Sequence, residues 1–175
     1  MENDLKVDLA LQSDIEKAID LPSYEQWQEW ITAWLTYLNP DYSPIQSYEL
    51  SLLLTSDAAI QALNLQYRQF DKPTNVLAFA LLDDENLPPE VLAVLPMELG
   101  DIVISVETAQ RQAHEHNHSL GCELAWLASH GLLHLLGWDH PDDMELQQML
   151  EQQTALLRMV GFELSDQFYY AAEVY

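Results

Sequence analysis

The sequence predicts an α+β fold in which helices pack on one mixed sheet of about four strands. Segments of strand and helix pattern alternate through the first two thirds of the chain, and the C-terminal part is helical, an order typical of α+β proteins. The chain has 175 residues, 49% of them hydrophobic, which is enough apolar material for one sizeable core. We therefore expect a single domain over residues 1–175.

The first strand and the first helix are predicted from different periodicities. Val7, Leu9 and Leu11 alternate with more polar residues, which indicates a strand with one apolar face. Ser23 is a favoured N-cap, and apolar residues recur after it at helical spacing to about Asn39. The apolar positions of this helix, which we expect in the core, include three tryptophans: Trp27, Trp30 and Trp34.

The middle of the chain is predicted as strand, helix, strand and loop. Residues 48–54 are apolar and end at a Thr-Ser-Asp turn signal, and a helix follows to about Phe70. Residues 76–82 are almost continuously apolar, so we expect a third strand at the centre of the sheet. Residues 83–96 combine acidic residues with prolines, which favours a surface loop.

The C-terminal part is predicted to contain one strand and three helices. The fourth strand spans residues 102–106, and a helix ending near Glu115 follows it. The next helix, over residues 120–136, is rich in leucine and carries two histidines. The last helix runs from Pro141, a residue favoured at the first helical position, to about Val160.

Three histidines near the end of the leucine-rich helix are predicted to bind one metal ion. His130 and His134 are four residues apart, so on a helix their Cβ atoms lie on one face roughly 5–6 Å apart. Two imidazoles can close that gap around one ion at about 2.0–2.1 Å per bond. Gly137 can take a positive φ, end the helix and return His140 as a third ligand. Imidazoles suit both Zn²⁺ and Ni²⁺, so the residues leave the choice between these ions open.

The position after the first histidine separates this pattern from that of zinc peptidases. The spacing H-x-x-x-H-x-x-G-x-x-H matches one large class of zinc hydrolases at each histidine and at the glycine. Those enzymes have a glutamate general base where this chain has Gly131, which has no side chain to move a proton. The pattern supports a metal site more strongly than peptide hydrolysis, and a zinc peptidase-like hydrolase stays an alternative.

A second histidine cluster precedes the leucine-rich helix. His114, His116 and His118 are spaced by two near the end of a helix. This spacing scatters side chains around a helical axis, so a shared ion would need local strand-like geometry. We expect solvated histidines that are favoured by the C-terminal end of the helix dipole, and we leave them out of the ligand set.

Composition narrows the compartment and the partners. The formal net charge is −23, from 29 acidic and 6 basic residues, which disfavours general attraction to phosphate backbones and indicates a solvated acidic surface or a basic partner. The one cysteine, Cys122, rules out an internal disulfide and is expected to be a small buried side chain. The acidic N-terminus has no secretory pattern and no apolar run is long enough to cross a bilayer, so we expect a soluble cytoplasmic protein.

Three blocks of sequence carry a resemblance to a known family. They are residues 63–79 (LNLQYRQFDKPTNVLAF), 99–105 (LGDIVIS) and 130–140 (HGLLHLLGWDH). In this order and spacing they resemble the YbeY family of bacterial endoribonucleases, which act in ribosomal RNA maturation. The similarity runs from about residue 50 to residue 160. Asn75 and Ala78 depart from the family, which often has aspartate and serine there, and we expect each change to loosen the cleft wall slightly.

The resemblance implies a fold, an activity and partners. The fold is a single α+β domain with a zinc ion on His130, His134 and His140, and the activity is hydrolysis of single-stranded RNA during ribosomal RNA maturation and ribosome quality control. Arg68 matches the family's arginine beside the metal cleft. The implied partners are ribosomal RNA, proteins of the small ribosomal subunit and an Era-type GTPase, and an acidic surface is compatible with a basic ribosomal protein.

The chemistry of single residues is compatible with these roles. Three imidazoles leave a zinc ion one open coordination position, which is typical of a catalytic site; a ribosome-assembly factor with a structural ion stays an alternative. The planar guanidinium of Arg68 matches phosphate oxygens, so we predict that it holds the scissile phosphate, with a surface ion pair as the alternative. Asp139 is expected to orient a ligand imidazole or to face water, and the general base is left unassigned.

Overall fold

Strands and helices follow one another along the chain in nearly the predicted order. The computed structural model describes residues 4–16, 20–82 and 87–165. Their elements are β1 (Lys6–Ser13), α1 (Tyr24–Leu38), β2 (Ser47–Thr55), α2 (Asp57–Arg68), β3 (Val76–Ala80), α3 (Pro89–Leu92), β4 (Met97–Ser105), α4 (Val106–Glu115), α5 (Leu120–Leu135) and α6 (Asp143–Met159).

The four strands form one mixed sheet in the order β1-β2-β4-β3. β1 and β4 both run parallel to β2, with Leu52 at the centre of the register opposite Leu11 and Ile102. β3 runs antiparallel to β4. The predicted α+β class and the four-stranded mixed sheet are confirmed.

The predicted position of the third strand is wrong, because β3 lies at an edge of the sheet and pairs with β4 alone among the described strands. Its apolar sequence has another cause. Val76 belongs to the main core, on the side where α5 packs. Leu77 packs on the other side with Val103 and with Ile60 of α2. Helices therefore cover both faces of this edge strand. A continuous apolar run indicates that both faces of a strand are buried, and it does not indicate that the strand is central in the sheet.

Several predicted boundaries also change. β4 begins at Met97 instead of residue 102, so Gly100 lies inside the strand beside a bulge. The predicted loop over 83–96 contains the short helix α3, and residues 83–86 of it lie outside the described residues. α6 begins at Asp143, not at Pro141, because the Asp142 carboxylate accepts a hydrogen bond from the Glu145 backbone N–H and so caps the helix.

α5 is the central helix of the protein, and it carries two of the three predicted ligands. Ser119 caps its N-terminus by accepting from the Cys122 N–H. Thirteen of its sixteen residues are buried, since it packs against the sheet, α4 and α6. Cys122 is among them, as predicted, and burial, followed by the charge of Glu123, raises the pKa of its thiol to about 12.

The tryptophans of α1 belong to the core, as predicted. Trp27 and Trp34 are fully buried, and Trp34 Nε1 donates a hydrogen bond to the Leu156 carbonyl of α6 at 2.9 Å. The Ser23 cap and its reciprocal bond with Gln26 start this helix. Within the described part of the chain, none of the helices has the length and apolarity needed to cross a bilayer.

Candidate metal centre

The three predicted ligands converge at the end of α5. His130 Nε2 and His134 Nε2 are 3.0 Å apart, and the ring of His140 lies 5.9 Å and 5.6 Å from the rings of His130 and His134, centroid to centroid. One nitrogen from each ring lies within 4.8 Å of the other two. His130 is buried, and the other two rings are partly exposed.

A Schellman turn returns His140 to the helix end. Gly137 has a φ of +91°, its N–H donates to the His134 carbonyl at 3.0 Å, and the Trp138 N–H donates to the Leu133 carbonyl at 2.9 Å. The Tyr42 hydroxyl donates to the Leu136 carbonyl and holds the turn from outside. The predicted glycine reversal is therefore confirmed.

His130 and His134 are held in the neutral form, which is the form that binds metal ions. Burial, followed by the neighbouring His134, lowers the pKa of His130 to about 4, although a hydrogen bond with Gln153 opposes the shift. Burial, followed by His140, also lowers the pKa of His134, while the charge of Asp139 opposes this. Near neutral pH both imidazoles keep a lone pair for a cation.

Gln153 on α6 is a neighbour of the histidine cluster that the sequence did not reveal. Its side chain is fully buried, its Nε2 donates to the Trp126 carbonyl, and its Oε1 lies 3.1 Å from His130 Nδ1. The nearest sequence signal is a single glutamine, 23 residues after His130, in a helix that contains many glutamines. Nothing in the spacing marks it.

The residues fit a divalent metal ion. Two nitrogens bound tetrahedrally at about 2.0–2.1 Å from one ion lie roughly 3.3–3.4 Å apart, close to the 3.0 Å between the two Nε2 atoms. Three neutral imidazoles are also ligands that zinc and nickel both accept. The histidine cluster can therefore hold one metal ion.

The cluster opens into a cleft of about 710 Å³ that also contains Arg68. Arg68 is the last residue of α2, and Gln69 ends that helix with a φ of +60°. The side chain of Arg68 is exposed and pairs with no carboxylate among the described residues. The surface ion pair that the sequence left open as an alternative is therefore absent among those residues. Lys72 and the exposed ring of Phe70 line the same cleft.

Comparison with known proteins assigns the family. A family model described as endoribonuclease YbeY matches residues 12–161. The chain belongs to this family. The match begins well before residue 50, so α1 contributes more to the resemblance than the sequence blocks indicated.

Individual relatives support the assignment along most of the chain. The endoribonuclease YbeY of Acaryochloris marina is 52% identical over 170 residues, covering 90% of this chain and 97% of the relative. That of Synechocystis sp. is 48% identical over 166 residues, covering 91% and 93%. A Thermotoga maritima protein solved in solution has a TM-score of 0.54 at 23% identity, covering 87% of this chain and 89% of its own, which supports the fold alone.

Gly131 has a structural reason in this member of the YbeY family. A Cβ at this position would lie 2.9 Å from Ile102 Cγ2 and 3.2 Å from its Cγ1. Both atoms belong to a buried β-branched side chain of β4 that cannot swing away. Ile102 of the sheet therefore occupies the space that a side chain at residue 131, where zinc peptidases have their glutamate, would need.

The two departures from the YbeY pattern affect the cleft wall differently. Asn75 makes two hydrogen bonds in the wall: its Oδ1 accepts from the Val76 N–H at 2.7 Å and its Nδ2 donates to Gln112 Oε1 at 3.1 Å. Ala78 lines the cleft and has no polar atom to contribute.

Asp139 and the second histidine cluster complete the predicted residues. Asp139 lines the cleft, is exposed, and its Oδ1 accepts from the His140 backbone N–H at 2.8 Å. It therefore braces the chain at a predicted ligand through the backbone of His140. The expectation of solvated histidines holds for exposed His114 and is wrong for His116 and His118, which contact the buried Glu123 carboxylate.

Proposed function

We propose that this chain is a metal-dependent endoribonuclease, a hydrolase that cuts single-stranded RNA in ribosomal RNA maturation and ribosome quality control. The main observation behind the proposal is that a histidine cluster fit for a metal ion and an exposed arginine line one cleft in a member of the endoribonuclease YbeY family. This combination suits phosphodiester hydrolysis, because charge develops on phosphate oxygens as the bond breaks and both groups stabilise it.

His130, His134 and His140 are the proposed ligands of one Zn²⁺ or Ni²⁺ ion. When bound, the ion polarises a phosphoryl oxygen and lowers the pKa of coordinated water. Gln153 accepts a hydrogen bond from Nδ1 of His130, and this leaves Nε2 of that ring to bind the ion.

Arg68 is the proposed catalytic residue that contacts the scissile phosphate. Its planar guanidinium can donate two parallel hydrogen bonds, from two nitrogens, to two oxygens of one phosphate, a geometry that the single nitrogen of a lysine does not offer. Its position in the cleft with the histidines, and its exposure without a carboxylate partner in the described part of the chain, leave those donors available.

The positive charges that line the cleft explain how RNA can approach a chain of net charge −23. Two of the six basic residues, Arg68 and Lys72, line it, and a bound divalent ion adds two further positive charges. Among the residues that line the cleft, Asp139 is the one carboxylate. Phosphate is thus attracted locally although the whole surface repels it at long range.

Phe70 supports the proposed preference for single strands. Its ring is 57% exposed at the cleft, with Lys72 Nζ 5.6 Å from the ring centroid. Unpaired bases stack on exposed aromatic rings, whereas paired bases in a duplex do not present their faces. A single strand can therefore place one base on Phe70 and an adjacent phosphate near Arg68.

The two alternatives from the sequence are less well supported. A zinc peptidase needs a general base next to the first histidine, and Ile102 fills the space beside Gly131. A purely structural ion is bound by four protein ligands as a rule, whereas three histidines are found together here among the described residues.

The proposed setting follows from the proposed activity. The partners are ribosomal RNA, proteins of the small ribosomal subunit and an Era-type GTPase, and the compartment is the cytoplasm. The acidic surface suits the basic proteins of the ribosome.

A cleavage assay tests the proposal. The substrates are a single-stranded RNA and the same RNA annealed to its complement, incubated with wild-type protein, with protein stripped of metal by a chelator, and with His134→Ala. We expect cuts in the single strand by the metal-loaded wild type and loss of them in the other two samples, with the duplex cut more slowly. Equal cleavage by the His134→Ala variant would refute the proposal.

A further inference from the structure

Glu123 is a buried carboxylate at the beginning of α5, away from the metal cleft. Its side chain is 2% exposed, and two imidazoles approach one oxygen, Oε2: His116 through Nδ1 at 3.1 Å and His118 through Nε2 at 2.5 Å. A buried carboxylate is unfavourable unless positive charge lies beside it. A divalent cation held by this carboxylate and the two imidazoles supplies that charge.

The chain reversal after α4 brings the two histidines together. His116 ends the helix, Asn117 has a φ of +56°, and the His118 N–H donates to the Ala113 carbonyl at 3.1 Å. The Asn117 N–H also reaches the His114 carbonyl, which completes a Schellman turn. The same turn type positions His140 in the metal cleft. Because of this turn, His116 and His118 are not alternate residues of one helix, and their side chains can share an ion.

We propose that His116, His118 and Glu123 form a second binding site for a divalent transition metal ion of the Zn²⁺ type. One ligand atom from each residue lies within 4.8 Å of the other two. Two imidazoles and one carboxylate are an established ligand set for zinc, with bonds of about 2.0–2.2 Å. A tetrahedral ion needs ligand atoms roughly 3.3–3.4 Å apart, so small rotations of the three side chains admit it.

The second ion is separate from the first and has a different role. Glu123 and His130 are seven residues apart on α5, a rise of roughly 10 Å, so the two ions cannot form a binuclear centre, whose metals lie about 3.5–4 Å apart. The second ion links the turn after α4 to the first turns of α5. It therefore fixes the start of the helix whose other end carries His130 and His134. Solvent reaches it through the His116 and His118 side chains, which are 16% and 14% exposed.

Metal stoichiometry tests this site without any need for RNA cleavage. Metal-free protein is dialysed against buffered Zn²⁺, at a free concentration below that at which surface carboxylates bind it, and zinc per chain is measured by elemental analysis. We expect two ions in the wild type, one in each of Glu123→Gln, His118→Ala and His134→Ala, and none in the double variant His118→Ala/His134→Ala. The matched control is His114→Ala, an exposed histidine of the same segment, which keeps two ions.

The outcomes separate the two sites. If His118→Ala and Glu123→Gln retain the wild-type stoichiometry, the second site is refuted, whatever the result for His134→Ala. If the wild type binds one ion and His118→Ala binds none, the second site stands and the histidine cluster of the cleft fails.

Thermal unfolding gives an independent check that does not depend on the number of zinc ions counted per chain. In the His134→Ala background, Zn²⁺ should raise the melting temperature through the second site alone. The further change Glu123→Gln should abolish that rise while circular dichroism shows a folded protein. A rise that persists in the double variant would overturn the proposal.

Discussion

Gln153 Oε1 lies 3.1 Å from His130 Nδ1, and this contact determines which ring nitrogen of His130 is free. The amide NH₂ of Gln153 donates to the Trp126 carbonyl, so the amide oxygen must be the atom beside the imidazole. An amide oxygen only accepts, so Nδ1 carries the proton. The lone pair on Nε2 therefore points to His134, where a metal ion can use it.

Loss of this hydrogen bond should weaken metal binding. We expect Gln153→Leu to lower Zn²⁺ affinity about 10–100-fold, because the ring loses the group that fixes its orientation and tautomer. Gln153→Glu keeps an acceptor and should retain most of the affinity. Competition with a chromophoric chelator measures both, with the exposed Gln147→Leu of the same helix as control. Unchanged affinity in Gln153→Leu would show that the contact does not position His130.

Arg68 should affect cleavage and leave the metal in place. We expect about a tenfold loss of single-turnover cleavage rate for Arg68→Lys and a loss of about 100-fold or more for Arg68→Ala, since removal of a charge-stabilising donor costs that much. Zinc content, measured in parallel, should stay as in the wild type. Arg158→Lys, an exposed site on α6, is the control. Full activity in Arg68→Ala would exclude a phosphate-binding role.

Phe70 should affect binding of single strands. We expect Phe70→Ala to weaken the affinity for single-stranded RNA about 5–160-fold, which corresponds to about 1–3 kcal/mol of base stacking. Tyr37→Ala removes an equally exposed ring from α1, outside the cleft, and should bind as the wild type does. Fluorescence anisotropy with a labelled oligonucleotide measures both. Equal weakening by the two changes would contradict a specific stacking role.

A side chain added at Gly131 should destabilise the protein. An added methyl group meets Ile102, and such overpacking costs about 1–3 kcal/mol. The better helix propensity of alanine returns about 1 kcal/mol. We expect Gly131→Ala to lower the free energy of unfolding by a net of up to about 2 kcal/mol in urea titrations. At Gly121 of the same helix the nearest atoms lie at 3.9 Å, so Gly121→Ala should be neutral or slightly stabilising. A stabilised Gly131→Ala would disprove the close packing.

How far the sequence predicts this protein depends on the range of each interaction. The Ser23 cap, the tryptophan spacing of α1 and the turn at Gly137 are local signals, and all three were predicted. The edge position of β3 was not predicted, because a strand whose two faces are covered by helices has the same apolar sequence pattern at an edge and at the centre of a sheet. Partners from distant segments, such as Gln153 for His130, carry no local signal.

The second histidine cluster shows the same limit. The spacing of His116 and His118 was interpreted as helical, and the interpretation failed because Asn117 adopts the left-handed conformation. Their common partner, Glu123, follows a few residues later in the next helix, where a glutamate in the first turns is ordinarily a solvent-exposed residue that favours the helix dipole.

Asp57 should make stability depend on pH in the acid range. Burial raises the pKa of its carboxyl, but hydrogen bonds from Ser105, Thr108 and Arg111 and the charge of Arg111 lower it below the ordinary 3.8. The lowered pKa stabilises the folded protein above pH 3.8, and the stabilisation is lost as the pH falls through the folded-state pKa.

A variant isolates this contribution. We expect Asp57→Asn to lower the free energy of unfolding by about 1–2 kcal/mol at neutral pH, a figure reduced because Arg111 is mostly exposed. The gap to the wild type should narrow as the pH falls below 3.8. Urea unfolding at a series of pH values measures it. A gap that stays constant over this range would contradict the pKa direction.

The most direct measurement is anomalous diffraction from crystals of the zinc-loaded protein. The predicted result is a zinc peak in the cleft at about 2.0–2.1 Å from one nitrogen each of His130, His134 and His140, with a non-protein ligand in the remaining position. The absence of a zinc peak from the cleft, or a peak that contacts fewer than three of these rings, would contradict the proposed metal centre and the nuclease function that depends on it.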